Sequence, residues 1–214
     1  MTGYQRDEWE RVRIHVLPTD RFKTYAVTVY LGMPLTLDTV TKTALTPFVL
    51  RRGTERLPET KAFRERLDDL YGAGFAFDIN KRGDYQIVSF RMDTIHDRYV
   101  RETGSLLQES LQYLGEAITA PVLESGVFRP KYVQSEKETL EKRIRSIIND
   151  KIRYAAERCM EEMFRGEPYG VPPLGRLEDL ASIDAESLYS HYQDWLASAC
   201  IDIYVCGQTS MEEV

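Results

Sequence analysis

The sequence predicts an α+β fold, a mostly antiparallel sheet with helices packed on one face. Three observations carry that expectation. Apolar residues alternate in several short runs, as at Val12, Ile14 and Val16, which is the period of a half-buried strand. Between these runs lie stripes at helical spacing, as at Leu45, Phe48 and Val49. Strands and helices also follow one another without the strict alternation that a parallel sheet requires.

The first strand is expected to end at Pro18, and a second runs through Tyr25, Val27, Val29 and Leu31 until Gly32–Met33–Pro34 stops it. Asp38 is the expected N-cap of the next helix, which carries Leu45, Phe48 and Val49 on its buried face and ends at Gly53. A helix from about Thr60 to Tyr71 buries Phe63, Leu67 and Leu70, with Gly72 as its left-handed cap. The run FAFDINKRGDYQIVSFRM reads as a hairpin turning through Lys81–Arg82–Gly83–Asp84. Leu107, Leu111, Leu114 and Ile118 mark a further helix that ends before Pro121.

A long charged helix is predicted from Tyr132 to about Tyr154, with Val133, Leu140, Ile144, Ile147 and Ile148 inward. It is expected to continue to Phe164 with Ala156, Cys159, Met160 and Met163 in register. The segment from Gly166 to Gly175 is rich in glycine and proline and reads as a loop. Ser182–Ile183–Asp184 opens a final helix bearing Leu188, Tyr192 and Trp195, and a strand from Ile201 to Val205 follows. No internal repeat, low-complexity tract or linker interrupts the 214 residues, which suffice for one good core.

Composition excludes several function classes. A chain 43% hydrophobic and 29% charged has the make-up of an ordinary globular protein. Its net charge of -6 and pI of ≈ 5.3 argue against a nucleic-acid face. No apolar run approaches the roughly 20 residues needed to cross a bilayer. The amino terminus carries no signal-peptide core, so a cytoplasmic chain without membrane contact is expected. Cys159, Cys200 and Cys206 cannot all pair and form no C-x-x-C motif, so buried thiols are expected.

The search for chemistry returns little. His15, His96 and His191 have no metal-ligand spacing and no nucleophile elbow nearby, and structural roles are expected for all three. The acids Glu136, Glu138 and Glu141 sit among Lys137, Lys142 and Arg143 and read as a solvated, salt-bridged face. No phosphate-cradling loop is present. Taken by themselves, the residues display no active site.

The order of phrases along the chain, however, resembles the amino-terminal half of the insulinase-like (pitrilysin, mitochondrial processing peptidase) zinc peptidases. Active members carry a helix of the form H-x-x-E-H, then an apolar residue and the phrase F-K-G-T. Here Arg51–Arg52–Gly53–Thr54 stands for that last phrase, so the two histidines fall on Ala44 and Phe48 and the glutamate on Pro47. Gly74 to Asn80 resembles the family's edge strand. The helix that supplies the third zinc ligand resembles the stretch from Glu136 to Ile144, which puts that ligand on Lys142 or Arg143. The loop from Glu167 to Gly175 and the closing run from Leu188 to Gly207 match later phrases of the family.

The resemblance implies a single insulinase-like domain over residues 1–214, ending at a boundary or truncation before a second related domain. It also implies a lost zinc site and no cofactor. A methyl and a phenyl replace two imidazoles, proline replaces the base that would deprotonate a zinc-bound water, and a cation replaces the third ligand. Substrate peptide adds as a strand to a sheet edge in this family, a mode that survives loss of the metal. That edge falls here on Phe75, Ala76, Phe77, Asp78, Ile79 and Asn80, with Phe75, Phe77 and Ile79 facing one way and Ala76 and Asp78 the other. An ordinary half-buried strand is the competing reading of the same segment.

The implied function is that of a non-catalytic homologue in bacterial peptide or protein processing. It would bind a peptide or unfolded segment, or pair with an active zinc-bearing homologue or a second copy. A hydrolase working at another site through His96 or His191, and a purely structural domain, are the alternatives.

Overall fold

The computed structural model describes residues 3–101 and 104–214. Alternation builds its sheet. In chain order the strands are β1 (Gln5–Trp9), β2 (Val12–Pro18), β3 (Thr24–Pro34), β4 (Gly74–Arg82), β5 (Tyr85–Ile95), β6 (Leu123–Glu124), β7 (Val127–Phe128) and β8 (Cys200–Gly207). Six of them form one sheet in the order β1-β2-β8-β3-β5-β4, while β6 and β7 make a small separate hairpin. Every neighbour in the large sheet is antiparallel except β2 and β8, which run parallel.

Seven helices accompany the strands among the described residues: α1 (Val40–Leu50), α2 (Thr60–Asp69), α3 (Leu106–Thr119), α4 (Pro130–Ser146), α5 (Lys151–Met163), α6 (Leu177–Leu180) and α7 (Ala185–Ser198). The period-2 pattern sorts the two faces of the sheet. Tyr25, Val27, Val29 and Leu31 of β3, with Val88, Phe90 and Met92 of β5, are buried toward the helices. Burial of such side chains contributes about 1.5–3 kcal/mol each. The opposite face exposes a shallow cavity lined by Thr28, Tyr30, Ser89, Arg91 and Tyr204. Helices therefore cover one face, as the sequence predicts.

A buried cluster runs from Val16 on β2 to Val205 on β8 and takes in Leu45, Phe63, Leu114, Leu140 and Trp195 from the helices. The loop after α5 is pinned where it crosses α1. Gln86 Nε2 donates to Val40 O at 3.0 Å and to Pro173 O at 2.7 Å. Gly175 sits at φ +78, where an added Cβ would lie 2.5 Å from Thr41 Cα.

Several expectations are corrected. Strand β1 and the β6–β7 hairpin have no counterpart in the sequence reading, and β3 continues through Gly32–Met33–Pro34 because β5 pairs with it that far. Thr39, not Asp38, occupies the N-cap of α1, and that helix ends at Leu50 rather than Gly53. The long helix breaks at Asp150, whose Oδ1 accepts the Arg153 N–H at 3.0 Å and opens α5 afresh. Helix α5 buries no residue, so Cys159 and Met163 face solvent, and Ile148 before it is 50% exposed. The thiols are likewise not buried: Cys159 and Cys200 are exposed and Cys206 is half-buried.

Candidate functional site

Helix α1 is enclosed. Ten of its eleven residues are buried, so the helix is enclosed on nearly every side rather than along the one stripe expected from the sequence. Ala44 is 0% and Phe48 3% exposed. Pro47 lies inside the helix and has no N–H to give the carbonyl of Thr43, a defect that ordinarily costs about 3 kcal/mol. The helix continues past it, with Arg51 N donating to Pro47 O at 3.2 Å.

The turn after α1 carries the charge. Arg52 Nε donates to Glu136 Oε1 at 2.5 Å, Arg51 Nη2 donates to Glu136 Oε2 at 3.2 Å, and Arg52 Nη2 donates to Ser135 Oγ at 2.8 Å. Glu136 is 1% exposed, so this member of α4 is not the solvated acid the sequence suggests. Both of its oxygens are taken by guanidinium groups from a segment far away in sequence. A buried carboxylate is tolerated only when paired in this way.

Aromatic rings and guanidinium groups complete the cluster. The Phe48 ring meets Phe77 of β4 edge-on at 4.8 Å between centroids. The Arg51 guanidinium lies 5.3 Å from the Phe48 centroid and 5.4 Å from that of Phe77, within cation–π range. Arg143 comes from α4 to the same ring, 5.7 Å from the Phe48 centroid, and forms an ion pair with Asp78 at 3.6 Å. Of the two candidates for the third ligand position it is therefore Arg143 that faces the motif helix, whereas Lys142 is exposed.

These residues do not fit a zinc ion. Methyl, pyrrolidine and phenyl groups have no lone pair to offer, and the Arg143 guanidinium places positive charge beside Phe48, which disfavours a second cation there. Among the described residues no group of three His, Cys, Asp or Glu side chains converges on a point. No step through a metal follows from this geometry.

Strand β4 is the outermost strand of the sheet beside β5, and no described strand pairs along its other side. Phe75 and Phe77 turn toward the helices, where Phe75 packs on Phe63 and Tyr113, and Ile79 is buried with them. Ala76, Asp78 and Asn80 line the cavity on the open face. The Asp78 carboxylate accepts the Ile79 N–H at 2.9 Å and the Asn80 Nδ2–H at 2.8 Å.

The histidines are otherwise engaged. His191 on α7 is 8% exposed and lies 2.8 Å from Thr43 Oγ1 of α1, and burial lowers its pKa to about 4. His96 accepts the Arg98 N–H at Nδ1 and lies 3.2 Å from Gln208 O at Nε2. His15 bonds Asp202 at 2.9 Å and stacks on Tyr204. The sequence reading misses Arg51, Arg52 and Glu136 as a unit. The available signal was a pair of adjacent arginines directly after an apolar helix.

No family model matches the chain. It is similar to the Probable inactive metalloprotease YmfF of Bacillus subtilis (strain 168), with 38% identity over 200 residues, 94% of this chain and 47% of that protein. The chain thus spans about half the length of the curated relative it matches. Among solved structures it is similar to a conserved protein from Enterococcus faecalis V583, with TM-score 0.92 and 30% identity over 99% of this chain and 50% of the other. It also shares the fold of a peptidase M16 inactive domain from Pseudomonas fluorescens, with TM-score 0.75 and 14% identity over 99% of this chain and 48% of that one. No helix among the described residues is long and apolar enough to cross a membrane.

Proposed function

We propose that the chain is a member of the insulinase-like (peptidase M16) metalloprotease family, a non-catalytic domain that takes an extended peptide along β4 and works beside a zinc-bearing homologue. Its 38% identity to a probable inactive metalloprotease and its shared fold with an M16 inactive domain support the reading. One observation carries the reading. The outermost strand of the sheet lies directly against the helix where active relatives hold their metal, through the Phe48–Phe77 contact. An edge strand there retains the backbone groups that an added strand needs, while Ala44, Pro47 and Phe48 remove the means of cutting it.

On this reading the 214 residues act as one insulinase-like domain of a cytoplasmic bacterial assembly, and the partner is an active homologue or a second copy of the chain. The clefts between such halves are where peptide is held. A catalytic site built on the other histidines draws no support from the geometry, since His96 engages both ring nitrogens and His191 is buried with its Nε2 against Thr43 Oγ1.

Hydrogen exchange tests the edge. Added extended peptide is expected to protect outward amides of β4 and leave those of β8, in the middle of the sheet, unchanged. Exchange along β4 that is indifferent to every peptide tried would refute the binding role. For the pairing, the purified chain is mixed with a homologue that keeps H-x-x-E-H. A single heavier species in sedimentation is expected, and two independently sedimenting proteins count against it.

A further inference from the structure

We propose that Arg51 and Arg143 form a carboxylate-binding subsite at the β4 edge, so that the peptide received there is one carrying an acidic side chain. This rests on the edge-binding reading of β4 and adds to it the class of peptide. The two guanidinium groups reach Phe48 from different elements, one from the turn after α1 and one from α4. Their side chains are 37% and 38% exposed, so their heads are accessible while the stems pack on aromatic carbon.

Their hydrogen-bonding capacity is underused. A guanidinium has five N–H donors in a fixed fork suited to carboxylate. Among the described residues Arg51 gives Glu136 one bond of 3.2 Å, and Arg143 has only the 3.6 Å ion pair with Asp78. Local charge points the same way. In a chain of net charge -6, Arg51, Arg52 and Arg143 face Glu136 and Asp78, three positive groups against two negative. Lys142 is exposed on the same helix, while Glu141 beside it is occupied by Arg145.

Asp78 shows the pattern of the expected ligand. Its carboxylate is 57% exposed and already bridges the Arg143 guanidinium and the backbone N–H of Ile79 on the edge strand. An incoming peptide that adds beside β4 with a carboxylate at this point makes the same two kinds of contact, and it displaces Asp78 in doing so. Asp78 is thereby a built-in competitor, and removing its charge frees the subsite.

The test uses fluorescence anisotropy on the purified chain with two fluorescein-labelled peptides of alternating Thr and Val. One has a central Glu and the other a Gln in its place. The Glu peptide is expected to bind about tenfold tighter at low salt, with the difference largely gone near ~0.5 M salt. Arg143→Gln is expected to abolish that preference, and Asp78→Asn is expected to enlarge it. Arg51→Gln, in which Arg52 still pairs Glu136, gives a second variant should the first fold poorly. Equal binding of both peptides, with β4 amides protected, overturns the subsite and leaves the edge reading standing. Failure of both peptides to bind or protect overturns the edge reading, and the subsite with it.

Discussion

His191 makes stability fall in mild acid. In the folded protein its pKa lies at about 4, because burial disfavours the charged ring and Lys42 repels it, only partly offset by Asp194. In the unfolded chain the ring returns to its ordinary value near ~6.5. The unfolded state therefore binds the extra proton between those two values, and stability must fall as pH drops through that window. It is complete above pH ~6.5 and lost toward pH ~4. The displacement corresponds to about 3 kcal/mol in all, of which about 2 kcal/mol is gone by pH ~5.

Urea denaturation at several pH values measures this, and His191→Gln isolates it from the carboxylates that titrate nearby. The variant keeps a side chain able to meet Thr43 Oγ1 and cannot take up the proton. The difference in unfolding free energy between the parent and the variant is expected to shrink by about 2 kcal/mol from pH ~7.5 to pH ~5. A difference that stays flat across that range would show that the ring is not held neutral by burial between α1 and α7, and the reasoning would fail.

Three further outcomes follow from the motif helix and its surroundings. Arg52→Ala leaves buried Glu136 with one weak partner and is expected to cost about 3 kcal/mol in urea denaturation, more than Arg51→Ala, whose bond is longer. Phe48→Ala empties a site 3% exposed and removes the shelf under two guanidinium groups, at a cost of about 3–5 kcal/mol by the same assay. The triple change Ala44→His, Pro47→Glu and Phe48→His is expected to leave the protein without stoichiometric zinc by mass spectrometry, because the Arg143 guanidinium, 5.7 Å from the Phe48 ring, still places a cation beside position 48; one zinc per chain would contradict the charge argument.

Most of the sheet was legible because its strands bury one face. Val27 and Val29, or Val88 and Phe90, state their direction through alternation. Strand β1 could not be read that way, since all five of its residues are exposed and it exists only through pairing with β2. The run after Tyr132 is helical on both sides of Asp150, and the break is marked by a tight 3-10 turn over Ile147–Asn149, extended backbone at Asp150 and the N-cap bond to Arg153. The motif substitutions at Ala44, Pro47 and Phe48 stood plainly in the sequence. The pairing of Glu136 with Arg51 and Arg52 did not, because on its own helix Glu136 is surrounded by charges that mimic a wet surface, and what buries it arrives from 84 residues earlier. Lys142 and Arg143 are adjacent in sequence, and helix rotation alone sends one to solvent and the other to Phe48.

The strand order has a consequence for how this chain comes into being. Strand β8 slots between β2 and β3, so nearly two hundred residues separate partners such as Val12 and Ile201. During synthesis the β1–β2 hairpin and the three-stranded β3-β5-β4 ribbon remain unjoined, with raw inner borders, until β8 leaves the ribosome. Closure then joins strands far apart along the chain, a long-range pairing that forms slowly and leaves both ribbons open meanwhile.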